Sequence, residues 1–224
     1  MKVDIRGDII PNNDKWIYDW LEMDSTCPRD VQNVVDKANG EPLEVYINSG
    51  GGDVFSGSEI YETLRMYKGK VKIHVTGIAA SAASVILCAA ESDIAPTAMV
   101  MGHNVASAAR GDYHAMDKAS EALKTANKAI AAAYVLKTGK TEDELLEMMD
   151  KETWMSAQEA VDFGLVDAIS QESTQLINSA GLGSLPPAVI EKIRNTTKNP
   201  FKNESSCAKA QAALNLLKLK GKMI

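Results

Sequence analysis

Leu43-Glu44-Val45-Tyr46-Ile47-Asn48-Ser49-Gly50-Gly51-Gly52-Asp53 opens as a short strand rich in β-branched and aromatic side chains and then runs out into glycine. Residues 56–66 follow with helical spacing, placing Ile60 and Leu64 on one inward face. The pattern then repeats. Val71-Lys72-Ile73-His74-Val75 reads as a strand, Gly77 as a turn, and Ala80 to Ala90 as a helix of small residues. Asp93-Ile94-Ala95 and Met99-Val100-Met101 read as two more short strands around Pro96. Strands alternating with helices predict an α/β fold with a largely parallel sheet, joined by right-handed crossovers.

Upstream, Val3 to Ile10 alternates apolar and polar residues, the mark of a strand with one buried face. Asp14 is placed to cap a helix carrying Trp16, Ile17 and Leu21. Pro28 opens another helix, with Gly40 expected at its end. Downstream, Tyr113 to Leu136 is Ala-rich without Pro or Gly and predicts one long helix. Thr141 with Glu144, and Ser156 with Glu159, have capping-box spacing and each start a helix, the second stopping at Gly164. Leu165 to Ile169 is an extended exit segment. Beyond Ser170 the composition changes. Residues 171–224 read as a linker followed by short helices, at about 187–194 and 208–220, appended to a domain spanning 1–170.

The net charge of -6 and pI near 5.2 argue against nucleic acid or an anionic membrane surface as partner. Cys27, Cys88 and Cys207 form no CxxC pair, which disfavours a zinc site or redox dithiol and fits a reducing cytoplasm. The N-terminal MKVDIRGDII has no apolar core of a signal peptide, and no apolar run reaches bilayer length.

Four features carry chemistry. The glycines 50–52 expose backbone N–H groups suited to an oxyanion or a phosphate, but the P-loop Lys-Ser/Thr and a GxGxxG are both missing. Their plainer reading is a flexible turn. Ser81, within Gly77-Ile78-Ala79-Ala80-Ser81-Ala82-Ala83-Ser84, is placed at the start of a helix, with the Ala82 N–H beside it. The plainer reading is close helix packing by small residues, and without GxSxG an α/β-hydrolase elbow is disfavoured. Among three histidines, His74 lies within a strand and reads as structural, and His114 lies at an exposed helix start. His103 ends a strand beside Gly102 and Asn104, where a general base can be presented. Finally, Asp150-Lys151-Glu152-Thr153-Trp154 offers carboxylates that can orient an imidazole, or simply a solvated helix end.

These pieces together resemble the Clp protease proteolytic subunit family. Tyr46 to Gly52 is similar to that family's YINSPGG segment, Ile60-Tyr61-Glu62-Thr63 to its IYDTM helix, and Gly77 to Leu87 to GQAASMGAFLL. Met99 to Asn104 is similar to RVMIHQ, and Trp154 to Asp167 to FLSAPEAVEYGLVD. Order and spacing agree across residues 3–169. The resemblance implies a ClpP/crotonase spiral of ββα units with a protruding handle helix at about 113–137. It implies a serine endopeptidase with Ser81 as nucleophile, His103 as base and Glu152 as third member, with Asp150 as fallback. The Gly52 and Ala82 N–H groups would form the oxyanion hole, with no cofactor and no metal. Partners implied are copies of itself in heptameric or stacked rings, and a polypeptide substrate.

The sequence departs from the family at Glu152, where Asp is usual, and at Gly50 and Ala82, where Pro and Met are usual. It begins almost at its first strand and carries an extra tail. With the Gly51-Gly52-Asp53-Val54-Phe55-Ser56-Gly57 wording, these departures resemble the phage head-maturation branch. The substrate expected is then a capsid or scaffold protein, without an ATPase. The alternatives are a general Clp-type subunit working with an ATPase, a crotonase-like acyl-CoA enzyme, a serine–lysine peptidase, and an inactive assembly component.

Overall fold

The computed structural model describes residues 1–170, so the expected linker and tail helices lie outside the described residues. Strands β1 (Lys2–Ile9), β2 (Ser25–Thr26), β3 (Leu43–Gly52), β4 (Val71–Ala80), β5 (Glu91–Ile94) and β8 (Ala168–Ile169) line up in the order β2-β1-β3-β4-β5-β8. All these neighbours run parallel. Strand β6 (Met99–Gly102) pairs parallel with the far end of β4, and β7 (Thr153–Ser156) pairs antiparallel with β6. The helices are α1 (Lys15–Trp20), α2 (Pro28–Ala38), α3 (Val54–Arg65), α4 (Ala82–Leu87), α5 (Tyr113–Thr138), α6 (Glu142–Asp150) and α7 (Ala157–Phe163). The α/β class with a mostly parallel sheet and the long helix stands as expected, and α5 extends the predicted 113–137 by one residue.

The core follows from the strand pattern. Leu43, Val45 and Ile47 of β3, Ile73 and Val75 of β4, and Ile60 and Leu64 of α3 pack into one buried cluster. Burying side chains of this size contributes roughly 1.5–3 kcal/mol each. Both sequence-predicted capping boxes are formed, on Thr141 and on Ser156.

Three local expectations are corrected. The glycine stretch is not a free loop: β3 continues through it, and Gly51 and Gly52 pair with Asp8 and Ile9 past a register shift that puts one extra residue in β3. Strand β4 likewise continues through Gly77 to Ala80, with a register shift against β3 between Val75 and Ala79. Glycine weakens an isolated strand, but pairing with β1 keeps Gly51 and Gly52 extended, and β4 is paired on either side of Gly77, at Val75 with β3 and at Ile78 with β6. At the end of α2, Asn39 takes the left-handed cap, with φ 45°, one residue before Gly40.

Asp167 shows how the exit segment is fastened. Its carboxylate accepts from the Ser92 N–H at 2.7 Å and from Lys137 Nζ at 2.5 Å, tying β5 and α5 to the residues before β8. Partial burial works to raise its pKa, but the Lys137 ammonium and the Ser92 donors outweigh that and hold it below the usual carboxylate range. The unfolded carboxyl protonates near about pH 4. The folded one protonates lower, so its stabilisation is complete above that pH and is lost as acidity passes through the folded value. Melting temperatures taken between about pH 6 and pH 3 should therefore fall less for Asp167→Asn than for the unaltered chain. Equal falls would remove Asp167 from the acid response.

Candidate active site

Ser81 occupies the single residue between β4 and α4. Its backbone has φ 54° and ψ -124°, a region that non-glycine residues avoid at a cost of about 1–3 kcal/mol. The turn is held on both sides. The Ser81 N–H donates to the Met101 carbonyl at 2.9 Å, and the Ser81 carbonyl accepts from the Ser84 N–H at 3.0 Å. The β4–β6 register, which pairs Ala80 with Met101, brings the ends of these two strands side by side. His103 follows directly on β6, and its Nε2 lies 2.8 Å from Ser81 Oγ. A hydroxyl and an imidazole nitrogen at this separation can exchange a proton without rearrangement.

The glycines supply the close approach. Gly51 has φ 98°, and a Cβ built there would lie 2.7 Å from both the Ala80 carbonyl oxygen and Ser81 Cβ. Gly52 has φ 147°, and a Cβ there would lie 2.1 Å from the Ile9 carbonyl oxygen. Only hydrogen fits at either position. Gly52 and Ala82 line one cavity with Ser81 and His103. That cavity, of about 550 Å³, is walled by the 105–109 segment and by Ala119, Ala122, Leu123, Ala126 and Ile130 of α5. It has the volume of a small ligand site and a largely aliphatic wall.

The candidate carboxylates bond to other partners. Strand β7 pairs Thr153 with Gly102, and Glu152 and His103 each lie one residue beyond that last registered pair. Glu152 has φ 48°, and its Oε1 accepts from Trp154 Nε1 at a long 3.4 Å. Asp150 Oδ1 accepts from Asn104 Nδ2 at 2.6 Å. Among the described residues, no carboxylate is hydrogen-bonded to the other imidazole nitrogen, Nδ1.

Sequence reasoning missed Asn127, on α5. It accepts from the Val105 N–H at 2.8 Å and donates to Asn104 Oδ1 at 2.9 Å, pinning the chain just after His103. An isolated Asn in an Ala-rich helix carries no signal of this. Of the other histidines, His74 has carboxylates on both ring nitrogens, Asp93 and Glu44, each at 2.7 Å, in keeping with a structural role. His114 is exposed and packs against Tyr113. Among the described residues, no group of three His, Cys, Asp or Glu is arranged to hold a metal ion. No helix among them is long and apolar enough to cross a membrane.

A family model described as Clp protease matches residues 32–173, more than half of the chain. The chain belongs to the Clp protease family. It is 38% identical over 136 residues to the ATP-dependent Clp protease proteolytic subunit 1 of Chlamydia abortus, covering 58% of this chain and 70% of that protein. It is 30% identical over 139 residues to the protein of the same name from Salinibacter ruber, covering 61% of this chain. The match spans 60% of the length of the Salinibacter relative. Among solved structures, a mutant of ClpP1 from Listeria monocytogenes superposes with a TM-score of 0.63 at 24% identity. That comparison covers 77% of this chain and 92% of the other, and it establishes the Clp-type fold. Both Ser81 and His103 fall within the residues matched to the Clp protease family.

Proposed function

We propose that this chain is a serine endopeptidase in which Ser81 attacks a peptide carbonyl and His103 accepts its proton. The observation that carries the proposal is the 2.8 Å contact between Ser81 Oγ and His103 Nε2. Attack forms a tetrahedral oxyanion, received by the N–H groups of Gly52 and Ala82, which share the cavity with the pair. One such donor typically contributes about 3 kcal/mol in the transition state. The proton on His103 passes to the leaving amine, and water releases the acyl group in the reverse sequence. Glu152 is the proposed partner of the imidazole Nδ1. Its support is the β6–β7 register, and the Trp154 contact it would leave is long. Asp150 is the fallback, already committed to Asn104.

The proposed substrate is a capsid or scaffold protein processed during phage head assembly, by a ring of copies of this chain in the cytoplasm. Its support is the Gly51 to Gly57 wording. A second reading rests on the relatives' names: a proteolytic subunit that works with an ATPase. A fluorophosphonate probe should label the unaltered chain on the peptide containing Ser81, as read by mass spectrometry, and should leave Ser81→Ala unlabelled. Equal labelling of the two would remove Ser81 as nucleophile. Cleavage of a co-expressed capsid precursor without added ATPase favours head maturation. Degradation only with an ATPase favours the second reading.

A further inference from the structure

The strained turn at Ser81 has a second support, from the far side of the core. Ser84 Oγ donates to the Ser81 carbonyl at 2.7 Å, alongside the Ser84 N–H. The same Oγ lies 2.8 Å from the hydroxyl of Tyr134, on α5. Both side chains are buried, Ser84 at 0% exposure and Tyr134 at 1%. A carbonyl oxygen only accepts, so the one Ser84 hydroxyl hydrogen is spent on Ser81. Tyr134 must therefore donate to Ser84. The result is a directed chain, Tyr134 O–H to Ser84 Oγ–H to the Ser81 carbonyl, in surroundings where each bond polarises the next.

We propose that Tyr134 and Ser84 are positioning residues for the nucleophile: they hold the Ser81 carbonyl, and with it the backbone rotation that aims Oγ at His103. The proposal rests on the peptidase reading above. Three observations favour it over simple satisfaction of two buried hydroxyls. The chain ends on the nucleophile's own residue, whose backbone is strained at φ 54° and ψ -124°. The Ser81 carbonyl takes two donors from one residue, which fixes its direction as well as its hydrogen-bonding capacity. Tyr134 also lies near Gly102, just before His103, where a Cβ would come within 3.9 Å of its hydroxyl. It therefore lies near both the helix start that follows Ser81 and the end of β6 that precedes His103. Because Tyr134 belongs to the helix that walls the cavity, the same element contacts a cavity occupant and sets the nucleophile.

The test compares Tyr134→Phe, Ser84→Ala and the double variant in the full chain. Fluorophosphonate inactivation is resolved into probe affinity and maximal rate, and melting temperature is followed in parallel. Each single variant should lower the maximal rate by about tenfold while probe affinity stays put. The double variant should be no slower than Ser84→Ala, because the two hydroxyls act in series. Tyr134→Phe removes no packing volume, so it remains readable if Ser84→Ala fails to fold around an unpartnered tyrosine hydroxyl. Rates within twofold of the unaltered chain, losses in affinity instead of rate, or additive losses in the double variant would each overturn the proposal. If the unaltered chain labels at Ser81 and these variants label equally fast, the positioning role falls and the peptidase stands. If the unaltered chain does not label at all, the peptidase reading fails and takes this role with it.

Discussion

Ser81→Ala, His103→Ala and the combination of the two should all lose peptide hydrolysis to the same extent, on the order of 10⁴- to 10⁶-fold in kcat. Equality matters more than size here. Ser81 Oγ and His103 Nε2 share one proton path across 2.8 Å. Removing either end leaves the other with nothing to do. The residual rate then comes from binding and from the Gly52 and Ala82 N–H groups, which all three variants keep. Initial rates on a fluorogenic peptide measure this directly. Multiplicative losses in the double variant would mean that the two side chains act independently, and the dyad would be dismissed. An intact His103→Ala would point to another base.

The second large effect is expected at Gly51, which touches no reacting atom through a side chain. Alanine there would need φ near 98°, a conformation costing about 1–3 kcal/mol for an ordinary residue. Its Cβ would also press on the Ala80 carbonyl and Ser81 Cβ at 2.7 Å, and on the Ala82 nitrogen at 3.0 Å. Backbone has to yield, and the backbone in question carries both the nucleophile and an oxyanion donor. A displacement of this kind typically costs on the order of 100-fold in rate. Gly51→Ala should therefore be nearly inactive even where circular dichroism shows a folded chain. Gly50→Ala is the matched control: nothing lies within 4 Å of a Cβ at that position, and hydrolysis should remain near that of the unaltered chain. Similar activity in the two variants would show that the packing of Gly51 on Ser81 is not needed for catalysis.

How much of this was legible in the sequence depends on the length scale of the cause. Helices α3, α5, α6 and α7 were readable because their causes are local: spacing for α3, Ala-rich composition for α5, and the caps Thr141 and Ser156, each accepting from a backbone N–H at the helix start, for α6 and α7. Strand ends were not, because Gly51 and Gly52 are kept extended by β1, and β4 is carried past Gly77 by pairing with β3 before it and with β6 after it, partners from elsewhere in the chain. Ser81 and His103 were found by resemblance, since the residue types alone leave small-residue packing as a full explanation. Their contact needs the β4–β6 pairing, which no spacing rule supplies. The positive φ at Ser81 was invisible for want of a glycine motif, although the strand-to-helix turn it marks is real. Strand β7 was missed because Thr153 to Ser156 is too short to show alternation, and it forms only against β6.

The placement of β6 has an operational meaning. It lies off the main run of the sheet, held by three register pairs to the tip of β4 and by four to β7. Any displacement of β6 would move the imidazole and also release the Met101 carbonyl from the Ser81 N–H, disturbing both members of the pair at once. Val100 and Met101 of β6 are buried, and Val100 belongs to the main core cluster, so the place of the imidazole is tied to the same packing that keeps the domain folded.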